Sequence, residues 1–276
     1  MISKSRAQRR LIIRPGAIGD FVVAIPAMKA LREVSLEVWT ASQNVPLARF
    51  ADHACSIVST GIDSLDPPPS VIARLRQFDS IVSWYGGKRP EFRDWVESLS
   101  LPFEFLQALP PEDATAHAAD FFLEQTGNGQ LKPGMPRLDC PRSDHGFAVI
   151  HPFSGSPRKN WPLDRFVELA KRLESRMPVK WCAGPEESLP WPVVRFDDLH
   201  DLACWLASAR VYVGNDSGTS HLAAAAGAPV VALFGATNPA VWGPRGERVH
   251  IVEGASMDEI GVDRVCAASL FAVSCP

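Results

Sequence analysis

Short apolar strands alternate with helices along this chain, and each strand runs into a polar, glycine-bearing loop. That pattern restricts the fold more than any other feature. After residue 146 it is cleanest, with strands expected at 147–151, 179–183, 211–214 and 229–234 and helices at 162–176, 199–209 and 217–226. Before residue 127 the same rhythm gives strands at 11–14, 36–40 and 80–84 and helices at 21–33, 70–78 and 112–125. Strands separated by helices form parallel sheets with right-handed crossovers, so the expected class is α/β with two Rossmann-like, doubly wound units. The stretch 127–146, "GNGQLKPGMPRLDCPRSDHG", is rich in glycine and proline and has no periodic face, which makes it a linker. The expected domains are therefore 1–143 and 144–276, with a site in the cleft between them, outside the carboxyl ends of the strands.

Composition removes several classes of function. A length of 276 residues with 46% hydrophobic and 21% charged residues suits a soluble chain of roughly two domains. A net charge of −3 gives no electrostatic reason to expect nucleic acid. The six cysteines include no C-x-x-C pair, so their spacing predicts neither a zinc module nor a redox motif, and a reducing cytoplasm fits them best. The start, "MISKSRAQRR" followed by "LIIRPGAIGDFVVAIPAM", superficially looks like a secretory signal, but Arg14 and Asp20 interrupt its apolar part. A cytoplasmic chain is expected, whose basic leader is either a solvated tail or an aid to peripheral contact with anionic lipid of the inner membrane.

Four loops carry the polar chemistry: "PGAIGD" after the first strand, then "HPFSGSPRKNWP", "AGPEES" and "VGNDSGTSH" in the second half. The last is the densest. Asp216 or Ser217 could simply cap the helix that follows, with Gly218 easing the turn. The alternative is an anion site, because the free N–H groups and positive dipole end of a helix suit phosphate and a glycine lets it come close.

Three segments, "LIIRPGAIGDFVVAIPAMKALRE", "HPFSGSPRKNWPLDRFVELAKRL" and "VGNDSGTSHLAAAAGAPVVALFGATNPAVWGPRG", resemble glycosyltransferase family 9 in content, order and spacing. That family is typified by lipopolysaccharide heptosyltransferases. The likeness is diffuse between residues 42 and 144, the part that shapes acceptor binding in the family. It implies a GT-B fold and an inverting, metal-independent transfer of a sugar, ADP-heptose being the expected donor, to a lipopolysaccharide core or related envelope glycan. No cofactor beyond that nucleotide-sugar is implied.

Inverting transfer needs a base for the acceptor hydroxyl and positive charge or N–H groups for the departing diphosphate. The resemblance gives Asp20 the first role, against its alternative as a helix cap. It gives Lys159 the second, assisted by Arg158, with Ser154 and Ser156 as small residues able to approach the anion; the alternative is a solvated loop. Ser217 and Gly218 match diphosphate positions, Asp216 a donor-sugar contact, and His221 either a brace for that loop or a core histidine. Glu186 matches a ribose-binding glutamate, with Glu187 as the competing choice, and Trp242 is expected to pack. Thr219 and Ser220 depart from the usual family residues, which leaves the sugar contacts less transferable. A nicotinamide oxidoreductase is the rival from the Rossmann pattern, but the G-x-G-x-x-G fingerprint is missing. A non-catalytic nucleotide-sugar binder and a family transferase with another donor or acceptor stay open.

Overall fold

The computed structural model describes residues 8–64, 66–141, 146–235 and 237–274. The boundary expected at 143/144 and the first seven residues of the basic leader lie outside them. In the first half β1 (Arg9–Arg14), β2 (Ser35–Thr40), β3 (His53–Ser56), β4 (Ser80–Ser83) and β5 (Phe103–Phe105) form a parallel sheet in the order β3-β2-β1-β4-β5. Its helices are α1 (Ile18–Ala30), α2 (Ile57–Thr60), α3 (Pro69–Leu75), α4 (Pro90–Ser98) and α5 (Ala118–Gln125). The second half holds β6 (Ala148–His151), β7 (Val179–Trp181), β8 (Val211–Asn215), β9 (Val230–Phe234) and β10 (Val249–Glu253), parallel in the order β10-β9-β8-β6-β7. Around it lie α6 (Leu163–Glu174), α7 (Leu199–Ala207), α8 (Gly218–Ala225), α9 (Pro239–Trp242) and α10 (Val262–Ser274).

These orders fix where a ligand can sit. In the first sheet the chain leaves β1 toward one edge and β4 toward the other, so the crevice opens between β1 and β4. In the second sheet the same reversal falls between β6 and β8. The loops beyond these four strands are 15–17, 84–89, 152–162 and 216–217.

Helix α1 starts at Ile18, three residues before the expected position, so Asp20 lies inside its first turn. Helix α5 starts at Ala118 rather than 112, where His117 Nδ1 accepts the Ala119 N–H at 3.1 Å. Strands β3, β5 and β10 and helices α2, α4, α9 and α10 were not expected.

The two halves share a core. Helix α1 is apolar on every side, and Phe21, Val22, Val23, Ala24, Ile25, Ala27 and Met28 are all buried, as befits a helix covered all round. Its neighbours include α5 and, from the other half, α8, whose alanines allow a close approach. The approach is closest at the helix starts: a Cβ at Gly218 would stand 2.8 Å from Ile18 Cβ and 3.0 Å from Gly19 N. Asp120 of α5 grips Arg245 through two 2.7 Å contacts, and His117 Nε2 donates to the Gly243 carbonyl at 2.8 Å. Among the described residues no helix is long and apolar enough to cross a membrane.

Gly218→Ala should cost about 1–3 kcal/mol in urea unfolding, the usual cost of overpacking against backbone that cannot move aside. Gly261→Ala, with nothing within 4 Å of the added carbon, should stay within about 0.5 kcal/mol of the parent. Equal effects would mean that the helix starts are not in tight contact.

Candidate functional site

Two cavities open at the two crevices. The first, of about 290 Å³, is lined by Ala17, Gly19 and Asp20 from the first half and by Gly155, Ser156, Lys159, Asp216, Ser217, Gly218, His221 and Trp242 from the second. The other, of about 510 Å³, lies within the first half between the loops after β1 and β4 and includes Arg14, Tyr85, Lys88, Arg89 and Arg93. Asp20 lines both.

Asp20 is not a helix cap. Ala17 holds the cap position of α1, with no side-chain cap bond, and Asp20 is the third helical residue. A carboxylate there is stabilised by the positive end of the helix dipole and still faces the cavity. Its backbone is held from below by Arg14, only 2% exposed, which donates from Nη2 to the Asp20 carbonyl at 3.0 Å and from Nη1 to Ala108 O at 2.9 Å. Burial lowers the Arg14 pKa to about 10, and the Asp20 charge acts against that shift. Asn44, fully buried, ties the loop down by donating to Gly16 O at 3.0 Å.

Lys159 ends the short turn Pro157–Lys159 and places Nζ 2.6 Å from Asp216 Oδ2, the oxygen that also accepts from Thr237 Oγ1 at 2.5 Å. Asp216 thus holds the lysine in place at the cavity wall. The lysine loop is anchored through Trp161 and Asn215. Trp161 N–H donates to Asn215 Oδ1 at 3.0 Å and its indole N–H to Ile260 O at 2.8 Å, while Asn215 Nδ2 reaches Pro152 O at 2.9 Å. Ser217 caps α8, its hydroxyl accepting from Ser220 N at 3.4 Å, and Ser220 Oγ donates to Asn215 O at 2.5 Å. The surplus polarity of "NDSGTS" therefore serves two ends: Asn215, Ser217 and Ser220 build the turn, and Asp216 and the start of α8 face the cavity.

His221 is buried beside this turn, and burial lowers its pKa to about 4; His117 and Lys159 push the same way, with Asp216 opposing. It is a neutral imidazole whose Cδ2 would lie 3.3 Å from a Cβ on Gly19, so it packs between the helix starts while also lining the cavity.

Three expected residues stand elsewhere. Ser154 does not line the cavity, because its hydroxyl is used inside the loop, 2.8 Å from Ser156 O and 2.6 Å from Asn160 Oδ1. Arg158 is exposed beside Lys159 and lines neither cavity. Glu186 is likewise exposed; its neighbour Glu187 turns inward to the Gly184 N–H at 2.6 Å and to His151 Nε2 at 3.1 Å. Gly218 lines the cavity, and its missing side chain also makes room for Ile18 and Gly19. Trp242 packs on the core, as expected, and lines the cavity as well. Arg14, Asn44, Thr237 and the Lys88–Arg89–Arg93 group were not anticipated. The polar run "YGGKRPEFR" after an apolar strand was a visible signal for the last of these. The cysteine spacing predicts no metal group, yet ligand atoms of Cys140, His200 and Cys204 lie within 4.8 Å of one another.

With this geometry in place, comparison with known proteins is informative. Residues 197–270 match the family model glycosyltransferase family 9 (heptosyltransferase). This part of the chain is similar to glycosyltransferase family 9. Lipopolysaccharide heptosyltransferase 1 of Pseudomonas aeruginosa is 33% identical over 166 residues, which cover 55% of this chain and 41% of that protein. Lipopolysaccharide heptosyltransferase 2 of Salmonella typhimurium is 29% identical over 147 residues, 45% of this chain and 42% of that protein. The matches thus span about two fifths of these curated relatives. A family 9 glycosyl transferase structure from Veillonella parvula superposes with TM-score 0.77 at 16% identity, covering 96% of this chain and 97% of that one. The GT-B architecture of the family 9 transferases is thus the architecture of this chain.

The depressed His221 pKa has a consequence for stability. Unfolded imidazole takes a proton near pH 6.5 and the folded one resists until about 4, so the unfolded state binds more protons in this window and stability falls as pH drops through it. Between pH 7 and pH 5 this group alone should remove about 2 kcal/mol. Chemical unfolding at both values should show that His221→Gln loses correspondingly less than the parent. Identical losses would mean that His221 is protonated in the folded chain.

Proposed function

We propose that this chain is an inverting glycosyltransferase that moves a sugar from a nucleotide diphosphate to a hydroxyl of an envelope glycan, without a catalytic metal ion. One observation carries the reading: Asp20 stands in the wall common to the two cavities. A donor in the cavity between the halves would set its diphosphate against Lys159 and the N–H groups at the start of α8. An acceptor in the other cavity would meet the anomeric carbon from the opposite side, past the Asp20 carboxylate. The acceptor oxygen then bonds to that carbon as its bond to the phosphate oxygen breaks, and the hydroxyl proton passes to Asp20. Attack from the side opposite the leaving group inverts the anomer.

Two positive ends stand in for a metal. Lys159 supplies a point charge and α8 supplies fixed dipoles, both aimed where charge grows on the leaving diphosphate. ADP-heptose as donor is supported by the heptosyltransferases among the relatives, and by an E. coli heptosyltransferase of the same fold, solved with ADP, at TM-score 0.68 and 17% identity over 96% of this chain and all of that one. The cations Lys88, Arg89 and Arg93, interleaved with Tyr85 and Phe105, fit an acceptor that carries anionic groups on a glycan or glycolipid, as in a lipopolysaccharide core. Such an acceptor would bring the chain to the cytoplasmic face of the inner membrane.

Asp20→Asn keeps the shape but cannot take the proton, so turnover should fall roughly 10²-fold or more while calorimetric affinity for the nucleotide diphosphate changes little. Near-normal turnover would remove Asp20 from the reaction. Lys159→Ala should weaken nucleotide diphosphate binding, by an amount that shrinks as salt rises, and should lower turnover further. Magnesium or manganese titrated into chelator-treated protein should leave turnover unchanged; a strict dependence on either would contradict the metal-free reaction.

A further inference from the structure

Away from the reaction cavity, the segment that crosses from the first half to the second passes over α7. Its path is fixed: Leu138 N–H donates to Ala225 O at 2.9 Å, and the Asp139 carbonyl lies 3.1 Å from His200 Nε2. Cys140 follows immediately. His200 and Cys204 are four residues apart on α7, hence on one face of that helix. The three residues offer two sulfurs and one ring nitrogen within 4.8 Å of one another, brought together from two stretches sixty residues apart in sequence.

The chemistry of this group is that of a soft, tetrahedral metal site. A carbonyl oxygen can only accept, so the His200 proton sits on Nε2 and Nδ1 keeps its lone pair. A ring nitrogen whose partner N–H is donated to a backbone carbonyl is the arrangement that orients metal-bound histidines. Cys204 Sγ lies 3.5 Å from Nδ1 and 3.8 Å from Nε2. Zinc bonds of about 2.3 Å to sulfur and about 2.0 Å to nitrogen at a tetrahedral angle require an S···N edge of about 3.5 Å. The Nδ1 distance meets that requirement, but the sulfur lies almost equally far from both ring nitrogens, so binding an ion requires the His200 ring to rotate until its lone pair faces the sulfurs. Two thiolates cancel the charge of a divalent ion. A neighbouring cavity of about 480 Å³ reaches His200, though neither cysteine, and leaves room there for a fourth, water ligand; Lys29, Arg32, Arg49 and Arg137 line it beside Asp139.

We propose that Cys140, His200 and Cys204 bind one zinc ion, which clips the crossover segment to α7 and so stiffens the join between the halves. His200 is buried and both cysteines are half-buried, so the site is reachable without unfolding. The ion stands apart from the reaction centre: none of its ligands lines the cavity that holds Asp20 and Lys159.

The full chain, purified under reducing conditions and dialysed first against zinc and then against metal-free buffer, should retain one zinc per chain by atomic spectrometry. Cobalt in its place should give a thiolate-to-metal charge-transfer band and the intense visible bands of a tetrahedral ion. Cys140→Ser and Cys204→Ser should each weaken zinc binding by more than about 100-fold, since even a partner of a ligand is worth about 10–100-fold. Cys266→Ser, on α10, should change nothing. If the serine variants fail to fold, the parent decides the matter: zinc should protect Cys140 and Cys204 from alkylation and leave Cys55 and Cys266 reactive. Well under one zinc per chain, equal zinc in Cys204→Ser, unprotected thiols, or a Cys140–Cys204 disulfide that persists in reducing buffer would each overturn the proposal.

Discussion

Two helices begin at the same place. The first turn of α1 and the first turn of α8, one from each half, meet so closely that a side chain at Gly218 would strike Ile18 and the backbone of Gly19, and one at Gly19 would press on the His221 ring. Each helix start carries the equivalent of about half a positive charge on free N–H groups, so bringing two together is unfavourable unless negative charge accompanies them. Asp20 and Asp216 supply it, one inside the first turn of α1 and one just before α8. Lys159 and Arg14 then balance the acids, through the ion pair to Asp216 and through the hold on the backbone of Asp20. In the proposed reaction a diphosphate entering this cluster would meet these positive ends beside the carboxylate proposed as the base.

The same contact explains the shared core. Helix α1 can be apolar on every face because α8 covers a side that would otherwise be wet, and α8 can be built from alanine because α1 lies close enough to need nothing larger. The Asp120–Arg245 pair and the His117–Gly243 bond hold the join at one side, and the crossover segment bonded to Ala225 and His200 holds another. Relative motion of the halves, which two facing Rossmann-like units would otherwise permit freely, must work against these ties.

Much of this was legible in the sequence, and what was not has a common cause. The alternation of periods gave the parallel sheets because each strand and helix advertises itself over a few residues, and the loops at their carboxyl ends carried Asp20, Lys159, Asp216 and Ser217 in plain view. Phe103–Phe105 went unseen although the equally short Val179–Trp181 was expected, and the longer Pro90–Ser98, Val249–Glu253 and Val262–Ser274 were missed as well. Ser154 and Arg158 share a loop with residues that line the cavity, but which side chain of a loop turns inward depends on its bonds: Ser154 is engaged by Asn160, and in the loop of Glu186 it is Glu187 that meets His151 and Gly184. Arg14 was noticed only as a charge that breaks an apolar run, and its partners Ala108 and Asp20 become neighbours only once β1 has folded. Cys140 and Cys204 escaped for the same reason, since spacing records contacts along the chain and not across it.

The central claim is that one reaction centre is assembled where α1 and α8 meet, with Asp20 between the donor and the acceptor. Crystals of the chain soaked with a non-transferable ADP-sugar address it most directly. The account predicts density for the diphosphate against Lys159 Nζ and the first N–H groups of α8, with the anomeric carbon between the leaving oxygen and the Asp20 carboxylate. A diphosphate seated among Lys88, Arg89 and Arg93, or an anomeric carbon that presents its leaving oxygen to Asp20, would contradict it.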